Sequence, residues 1–320
     1  MIRYKNFREF YEKTLRPDLE IIDRERKLVN KRVITIIFLA AAAITAEIFL
    51  IPARSEMFRI MLPMVTVVAG LVLTGLVSKS YRKEYKSKFI ARITNFLDEG
   101  LTYTPEGTVP VSEFLKSEIF PFSCDRFTGE DHFRGKIGKT EIEFSEVTAE
   151  YRNIRNTGSG QKEEYTILFK GLFIIADFNK YFKTRTVVLP DTAEKLFGKF
   201  GQTLQSLSVG RGKLVRLEDP VFEKEFCVYG DDQVEARYIL SSSLMERILA
   251  FKRKWNTRVS LSFCDSKVYL AIGVNKNLFE TRIFKPVADY SFMEENLRFL
   301  ILLTEIVEDL NLNTRIWTKE

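Results

Sequence analysis

Two apolar stretches near the N-terminus decide the fold class: VITIIFLAAAAITAEIFLI at residues 33–51 and IMLPMVTVVAGLVLTGLV at residues 60–77. The first carries one charged side chain, that of Glu47, and the second carries none. A helix rises about 1.5 Å per residue, so each stretch is about as long as the roughly 30 Å hydrocarbon core of a bilayer is thick. Because backbone groups in lipid must pair within their own segment, we predict a two-helix transmembrane hairpin over residues 33–77.

Basic side chains flank the two stretches on their outer sides. Five lie within residues 24–32 and five within residues 79–88, whereas the connection at residues 52–59 carries only two Arg and one Glu. The ten are Arg24, Arg26, Lys27, Lys31, Arg32, Lys79, Arg82, Lys83, Lys86 and Lys88. Lysine and arginine concentrate on the cytoplasmic side of membrane helices, so we expect both termini and the main domain in the cytoplasm. We expect no cleaved signal peptide, because mostly polar residues come first and a second apolar stretch follows.

The five basic residues nearest the apolar stretches have two interpretations. Lys31, Arg32, Lys79, Arg82 and Lys83 set the topology. They are also candidate contacts for anionic lipid headgroups, at about 1 kcal/mol per well-placed side chain. Topology alone accounts for these charges, so both interpretations stay open.

Glu47 is a carboxylate inside the first apolar stretch, where such a group is a candidate for a proton relay. It lies close to the end of the stretch, however, at a distance of about 6 Å along the helix. There it can be protonated, extend toward the headgroups or meet Arg54, and we prefer this interpretation.

The rest of the chain divides into three parts. Residues 1–32 have apolar side chains at helical spacing on both sides of Pro17, which predicts two amphipathic helices. Residues 78–100 keep a helical pattern and are predicted to form a stalk that ends near Gly100. Residues 101–320 are predicted to form a cytosolic α+β domain, a mostly antiparallel sheet packed with about three helices.

The domain's predicted strands are residues 141–151, 165–178, 184–189, 258–263 and 267–274. A polar turn at residues 156–160 joins the first two, and a short turn at residues 264–266 joins the last two, so we predict two hairpins. A cap residue followed three positions later by Glu predicts helix starts at Asp191, Ser243 and Ser291.

Composition argues against several classes of function. The chain has 49 Lys and Arg and 43 Asp and Glu, of which the first 100 residues hold 18 and 11, leaving 31 and 32 for the rest. A near-neutral domain argues against nucleic-acid binding. The three cysteines, Cys124, Cys227 and Cys264, are too scattered for a disulfide framework and are expected to be reduced and buried. His132 is the only histidine, so we expect no catalytic triad, metal centre or cofactor.

Two charged motifs are candidates for binding. GRGK at residues 210–213 lacks the spacing of a phosphate-binding loop and is predicted to be a basic turn before a strand. In the second motif, at residues 231–238, Asp231 and Asp232 could bind a divalent cation, but they directly precede the stretch at residues 233–238 and are predicted to cap a helix instead. Arg237 and Tyr238 could pair with Asp232 or Glu235 and hold that segment in place, and ligand binding is the alternative.

Three stretches are distinctive as a set: GEDHFRGKIGKTEIEFSEV at residues 129–147, FKGLFIIADFNKYFKTRTVVLPD at residues 169–191 and EKEFCVYGDDQVEARYIL at residues 223–240. Together they resemble domain-of-unknown-function family 3137, a group of bacterial membrane proteins, and the similarity extends over most of residues 95–312. The resemblance implies a multi-pass protein of the bacterial inner membrane, working beside another membrane protein such as one of the LemA type. It implies no reaction, substrate or catalytic residue.

We therefore expect a membrane-anchored binding or scaffold module whose partners are the lipid bilayer and another protein. The alternative is an enzyme at the membrane face, with carboxylates or arginines that only the fold brings together. An oligomeric channel or transporter would need polar residues along the apolar stretches, and only Glu47 qualifies.

Overall fold

The structure is a computed structural model that describes residues 6–51, 56–120, 124–157, 160–178, 180–191, 212–256, 258–274 and 277–312. The chain divides into two compact units. The helical unit comprises Met1–Ile93 and Phe279–Arg298, and the sheet unit comprises Thr94–Leu278 and Phe299–Glu320. A late segment of the sequence therefore belongs to the same unit as the N-terminal helices.

Two long helices form most of the helical unit, and each contains one π-helical turn. The elements of the first are α1 (Phe7–Phe10), a π-helical turn at Tyr11–Leu15 and α2 (Arg16–Leu50). Those of the second are α3 (Glu56–Tyr85), a π-helical turn at Lys86–Ile90 and α4 (Ala91–Leu97). α2 and α3 pack side by side. The two long helices are antiparallel, because Asp18 of α2 pairs with Arg92 of α4 near one end and Glu47 of α2 with Thr66 of α3 near the other.

Both helices are long and apolar enough to cross a membrane. Their most apolar 18-residue windows have a mean hydropathy of 2.4, and only 6% and 0% of these windows are buried. Phe38, Phe49 and Ile60 are 73%, 83% and 72% exposed. The core helix of a soluble protein would bury such side chains, whereas these remain unpacked.

Pro17 does not separate two helices, contrary to our expectation. The helix runs through it, and the π-helical turn lies immediately before Arg16. Proline lacks the N–H that an uninterrupted α-helix would use, and a π-helical turn is one way in which a helix absorbs such a defect. The second helix ends at Leu97, close to the predicted stalk end at Gly100.

The described residues of the sheet unit form one nine-stranded antiparallel sheet in the order β1-β2-β3-β4-β9-β8-β5-β7-β6. The strands are β1 (Leu101–Thr104), β2 (Arg126–Ile137), β3 (Thr140–Thr157), β4 (Gly160–Asp177), β5 (Thr186–Pro190), β6 (Lys213–Val215), β7 (Phe226–Gly230), β8 (Val259–Cys264) and β9 (Lys267–Gly273). The predicted α+β class and both predicted hairpins, β3–β4 and β8–β9, are confirmed.

Three strands were not predicted, namely β1, β2 and β7. β2 has the sequence RFTGEDHFRGKI, in which glycines and a bulge between Glu130 and Phe133 break the alternation of apolar and polar residues. At the bulge, Asp131 adopts a positive φ of 57°. Such a strand is buried by its neighbours in the sheet, so its own sequence shows little of the apolar–polar alternation that predicts a strand.

β3 and β4 extend beyond the other strands as a two-stranded arm. β2 pairs with β3 as far as Glu150, and β9 pairs with β4 as far as Gly171. Within the described residues, the remainder of β3 and β4 pairs only with each other, out to Thr157 and Gly160.

The centre of the sheet, in β3, β4 and β9, is buried on both faces. Phe144, Ile174 and Leu270 are completely buried on one face. Phe173 and Tyr269 belong to the other face, where their ring centroids lie 6.2 Å apart. A short helix covers this second face, and its Phe114 ring lies 5.1 Å from that of Phe173.

Five helices accompany the sheet in the described residues: α5 (Val111–Lys116), α6 (Pro220–Glu225), α7 (Gln233–Ile239), α8 (Ser242–Trp255) and α9 (Tyr290–Asp309). The helix predicted from Asp191 lies outside the described residues. α8 begins before Ser243, which is therefore not its cap. The cap of α9 is Asp289, whose Oδ1 accepts hydrogen bonds from the N–H and hydroxyl of Ser291. We expected α9 to pack on the sheet, but its first half lies in the helical unit, where Phe292 stacks on Tyr85.

Candidate functional site

A cleft of about 410 Å³ opens where β2, β3, β4 and β9 lie next to each other, and we refer to it as the charged cleft. It is lined by Gly100, Arg134, Gly135, Lys136, Glu141, Ile142, Glu143, Ile175, Ala176, Asp177 and Lys267. Three cations and three carboxylates converge here, because antiparallel pairing places residues that are far apart in sequence side by side. Arg134 is paired with Glu143, Lys136 with Glu141, and Asp177 with Lys267.

Glu143 is held in its ionised form at the centre of these charges. A hydrogen bond of 2.8 Å joins its Oε1 to Nε2 of His132. This hydrogen bond lowers the pKa of Glu143 more than burial raises it, and the charges of Arg134 and Lys267 add to the lowering. The only histidine of the chain therefore orients a carboxylate that lines the cleft, which gives His132 a positioning role.

Tyr269 and Lys267 share a second carboxylate beside the cleft. The Tyr269 hydroxyl donates to Oε2 of Glu113 at 2.9 Å, and Nζ of Lys267 lies 3.1 Å from the same atom. Burial, followed by the neighbouring Glu113, raises the pKa of Tyr269. Tyr269 therefore stays protonated and anchors α5 to β9.

Two glycines shape one wall of the cleft. A side chain at Gly135 would overlap the carbonyl oxygen of Gly100, and one at Gly100 would come within 2.7 Å of the carbonyl oxygen of Lys136. The close approach of β1 to β2 thus requires glycine at both positions.

The cleft is lined by side chains of both charge signs. Among the lining residues that the structure describes, there is no Ser, Thr, Cys or Tyr to act as a nucleophile. The described residues also contain no group of three or more metal-ligating side chains. What the cleft offers is fixed positive and negative charges for a ligand that carries both. We did not predict this site, because EIEF at residues 141–144 and RGK at residues 134–136 have the alternation of a solvent-exposed strand face.

The family-like motif consists of Asp232, Glu235, Arg237 and Tyr238. It lies elsewhere in the sheet unit and stabilises loops. Asp232 caps α7, since its Oδ1 accepts from the N–H groups of Val234 and Glu235 at 2.7 and 3.1 Å. Glu235 accepts from the N–H of Lys183 and from the N–H and hydroxyl of Thr184. Burial raises the pKa of Glu235, but these hydrogen bonds outweigh it, so the pKa lies below its ordinary value.

The last two residues of this motif also contact loops, but with partners other than those we expected. The Arg237 guanidinium donates to the carbonyl oxygen of Arg216 at 3.0 and 3.2 Å. Nζ of Lys180 lies 4.7 Å from the Tyr238 ring centroid and donates to the Tyr238 carbonyl oxygen at 2.6 Å. Arg237 and Tyr238 thus join neighbouring segments to α7 and do not pair with Asp232 or Glu235.

In the helical unit, the five basic residues predicted to contact lipid are all exposed. We refer to Lys31, Arg32, Lys79, Arg82 and Lys83 as the basic belt. The antiparallel packing of α2 and α3 brings its two halves to one level of the helix pair.

A segment from late in the sequence, residues 280–289, crosses this pair of helices, and we call it the strap. The Arg26 guanidinium donates to the carbonyl oxygen of Ile283 at 2.8 Å, and the Tyr81 hydroxyl donates to that of Arg282 at 3.1 Å. Oδ1 of Asp23 accepts from the N–H of Val287 at 3.2 Å. The buried ion pair of Asp23 with Arg26 and that of Lys86 with Glu280 complete the attachment. The strap is therefore fixed to both helices.

Three further predictions concern single residues or short motifs. Oε1 of Glu47 accepts from the Thr66 hydroxyl at 2.7 Å, so Glu47 joins the two helices, while its Oε2 is buried without a hydrogen-bond partner among the described residues. The cysteines are free but half-buried, which differs from our expectation that they are buried. Of GRGK, residues 210 and 211 lie outside the described residues, and Gly212 has a φ of 82°, as a turn before β6 requires.

Comparisons with known proteins found a match to one family and one weak structural likeness. None of the curated proteins matches the chain. The crystal structure of the mycobacterial trehalose monomycolate transport factor A, TtfA, is 8% identical, covers 69% of this chain and 96% of its own, and has a TM-score of 0.32. Residues 167–312 match the family model described as "Protein of unknown function (DUF3137)". This stretch contains two of the three resembling motifs, and the first, at residues 129–147, precedes it. The resemblance to the DUF3137 family is thus confirmed over residues 167–312, which match the family model.

Proposed function

We propose that the chain is a membrane-anchored binding module, with a helical hairpin in the bacterial inner membrane and the sheet unit on the cytoplasmic side. The observation that carries this proposal is the exposed apolar surface of the two long helices, of which 6% and 0% is buried in the most apolar windows. Exposure of so continuous an apolar surface to water is unfavourable for a folded chain, whereas the hydrocarbon core of a bilayer accommodates it. The position of the basic belt at one level of the helix pair supports the cytoplasmic orientation.

The charged cleft is the proposed binding site of the sheet unit. Its Arg134, Lys136 and Glu141 are exposed, while Glu143 and Lys267 are held in place by neighbouring side chains. Such an arrangement fits an extended peptide segment of another protein that carries both charges. Family resemblance makes a membrane protein of the LemA type the first partner to test.

Anchoring is tested by alkaline carbonate extraction of bacterial membranes that contain the full-length chain. We expect the chain to remain in the pellet, and a C-terminal reporter that is active only outside the cytosol to be silent. Extraction of the chain into the supernatant would overturn the anchor, and an active reporter would overturn the orientation.

The binding site is tested by photocrosslinking in cells, with a photoreactive amino acid in place of Lys136. We expect a crosslink to a membrane protein, which Arg134→Glu weakens because it reverses a charge in the cleft. The matched control has the photoreactive amino acid in place of Lys224, an exposed lysine of α6 that does not line the cleft. Equal crosslinking from both positions, or no effect of Arg134→Glu, would count against the cleft.

A further inference from the structure

An apolar groove of about 580 Å³ runs along the seam between α2 and α3. It is lined by Val33, Ile36, Ile37, Ala40, Ala41, Ile44, Val67, Gly70, Leu71, Thr74, Gly75, Ser78, Arg82, Ile283 and Phe284. From Arg82 to Val67 the groove follows sixteen residues of α3, or about 22 Å of helix. One leaflet of a bilayer has a hydrocarbon thickness of about 15 Å, so the groove is long enough to reach through a whole leaflet.

Small residues, Gly70 and Gly75 among them, help to leave the groove open. A Cβ at Gly75 would have no atom within 4 Å, and one at Gly70 would meet only Cβ of Ala40 at 3.6 Å. In membrane helix pairs, small residues normally allow the two backbones to touch. At Gly75 the space is left open instead, and the cavity is large enough for a hydrocarbon chain.

One end of the groove has the chemistry of a headgroup site. Arg82 is the only cation among the lining residues, and it is exposed. The strap closes this end with Ile283 and Phe284, and the Phe284 ring is 64% exposed. Arg82 lies five residues beyond the second apolar stretch, about 7 Å along the helix, which is the depth of the headgroup layer.

We propose that this groove binds one acyl chain of an anionic phospholipid whose phosphate contacts Arg82. This proposal rests on the membrane anchor of the proposed function. It also names the kind of lipid, an anionic phospholipid, that the positive charges of the basic belt favour. Charge complementarity at the Arg82 end favours this occupant over a partner helix, because an apolar helix would leave that cation without a counterion. The strap holds Phe284 against the acyl chain at the point where the acyl chain enters the groove.

The test uses the full-length chain reconstituted in nanodiscs of phosphatidylcholine with or without phosphatidylglycerol, then released into detergent for native mass spectrometry. We expect retention of one phosphatidylglycerol per chain in preference to phosphatidylcholine. Gly75→Leu should abolish the retention by filling the groove. Arg82→Gln should weaken the preference about fivefold, the factor that corresponds to about 1 kcal/mol for one lost cation, and Arg82→Lys should largely restore it.

Matched controls separate this site from unspecific effects. Ala42→Leu also introduces a leucine, on an exposed surface outside the groove, and Lys224→Gln removes an exposed cation of α6 that neither lines the groove nor belongs to the basic belt; neither should change retention. Unchanged retention in Gly75→Leu, or equal retention of both lipids, would overturn the inference. A change of oligomeric state in Gly75→Leu without loss of lipid would identify the groove as a helix-docking surface and would also overturn it. Carbonate extraction of the same variants tells this failure from a failure of the anchor itself.

Discussion

At the scale of single residues, Glu146 shows how a buried acidic side chain is accommodated in the sheet unit. Its side chain is only 5% exposed, and Oε2 accepts from the N–H of Leu278 at 2.8 Å. A buried carboxylate is tolerated when hydrogen bonds replace its lost hydration. Here it fixes the chain that follows β9 against β3.

We predict that Glu146→Ala lowers the free energy of unfolding by about 1–3 kcal/mol, because the Leu278 amide then lacks an acceptor in a buried environment. Glu146→Gln should cost much less, since its amide oxygen can accept the same hydrogen bond. Urea denaturation of the full-length chain in detergent, followed by circular dichroism, measures both. Equal losses in the two variants would show that the charge matters and the hydrogen bond does not.

At the scale of secondary-structure elements, the cap of α7 gives a defined test of the family-like motif. Asp232→Ala removes the acceptor for two N–H groups of the first turn, and we expect a loss of about 1 kcal/mol in the free energy of unfolding. Asp232→Asn should retain most of the stability, because asparagine caps equally well. If both variants unfolded like the native chain but lost crosslinking to a partner, the motif would act in binding.

The elements that sequence patterns predicted are those whose stability is local. The apolar stretches, the β8–β9 hairpin and the cap at Asp232 carry their own periodicity or turn chemistry. β2 does not, since its place depends on pairing with β1 and β3 and on a bulge at Asp131. The charged cleft was missed for the same reason, because Lys267 reaches it only through the pairing of β9 with β4.

At the scale of the whole molecule, three carboxylates with lowered pKa values make both units sensitive to acid. Burial raises the pKa of Asp23, but hydrogen bonds from Arg26 and the Val287 N–H outweigh it. The pKa of Glu143 is lowered by His132, and that of Glu235 lies below its ordinary value through Thr184 and its backbone partners.

A carboxylate with a lowered pKa in the folded state stabilises the fold above its ordinary pKa, and this stability is lost as the pH falls through the folded-state value. We therefore predict that the unfolding temperature is constant near neutral pH and begins to fall near the ordinary values of 3.8 for Asp and 4.5 for Glu. Glu143→Gln should flatten part of this decline. Thermal unfolding of the full-length chain in detergent across this pH range checks it, and an unchanged profile in the variant would exclude Glu143 as a contributor.

The β3–β4 arm has a consequence for how the molecule responds to cleavage. In the part of the chain that the structure describes, its strands pair only with each other beyond Glu150 and Gly171, and they carry exposed Arg152 and Lys162. Brief trypsin treatment should therefore cut here first, since such a ribbon opens at little cost. The two fragments should stay together without a covalent link, because the inner halves of both strands remain hydrogen-bonded within the sheet. A nicked chain would then elute from a sizing column as one particle and separate into two bands only after denaturation.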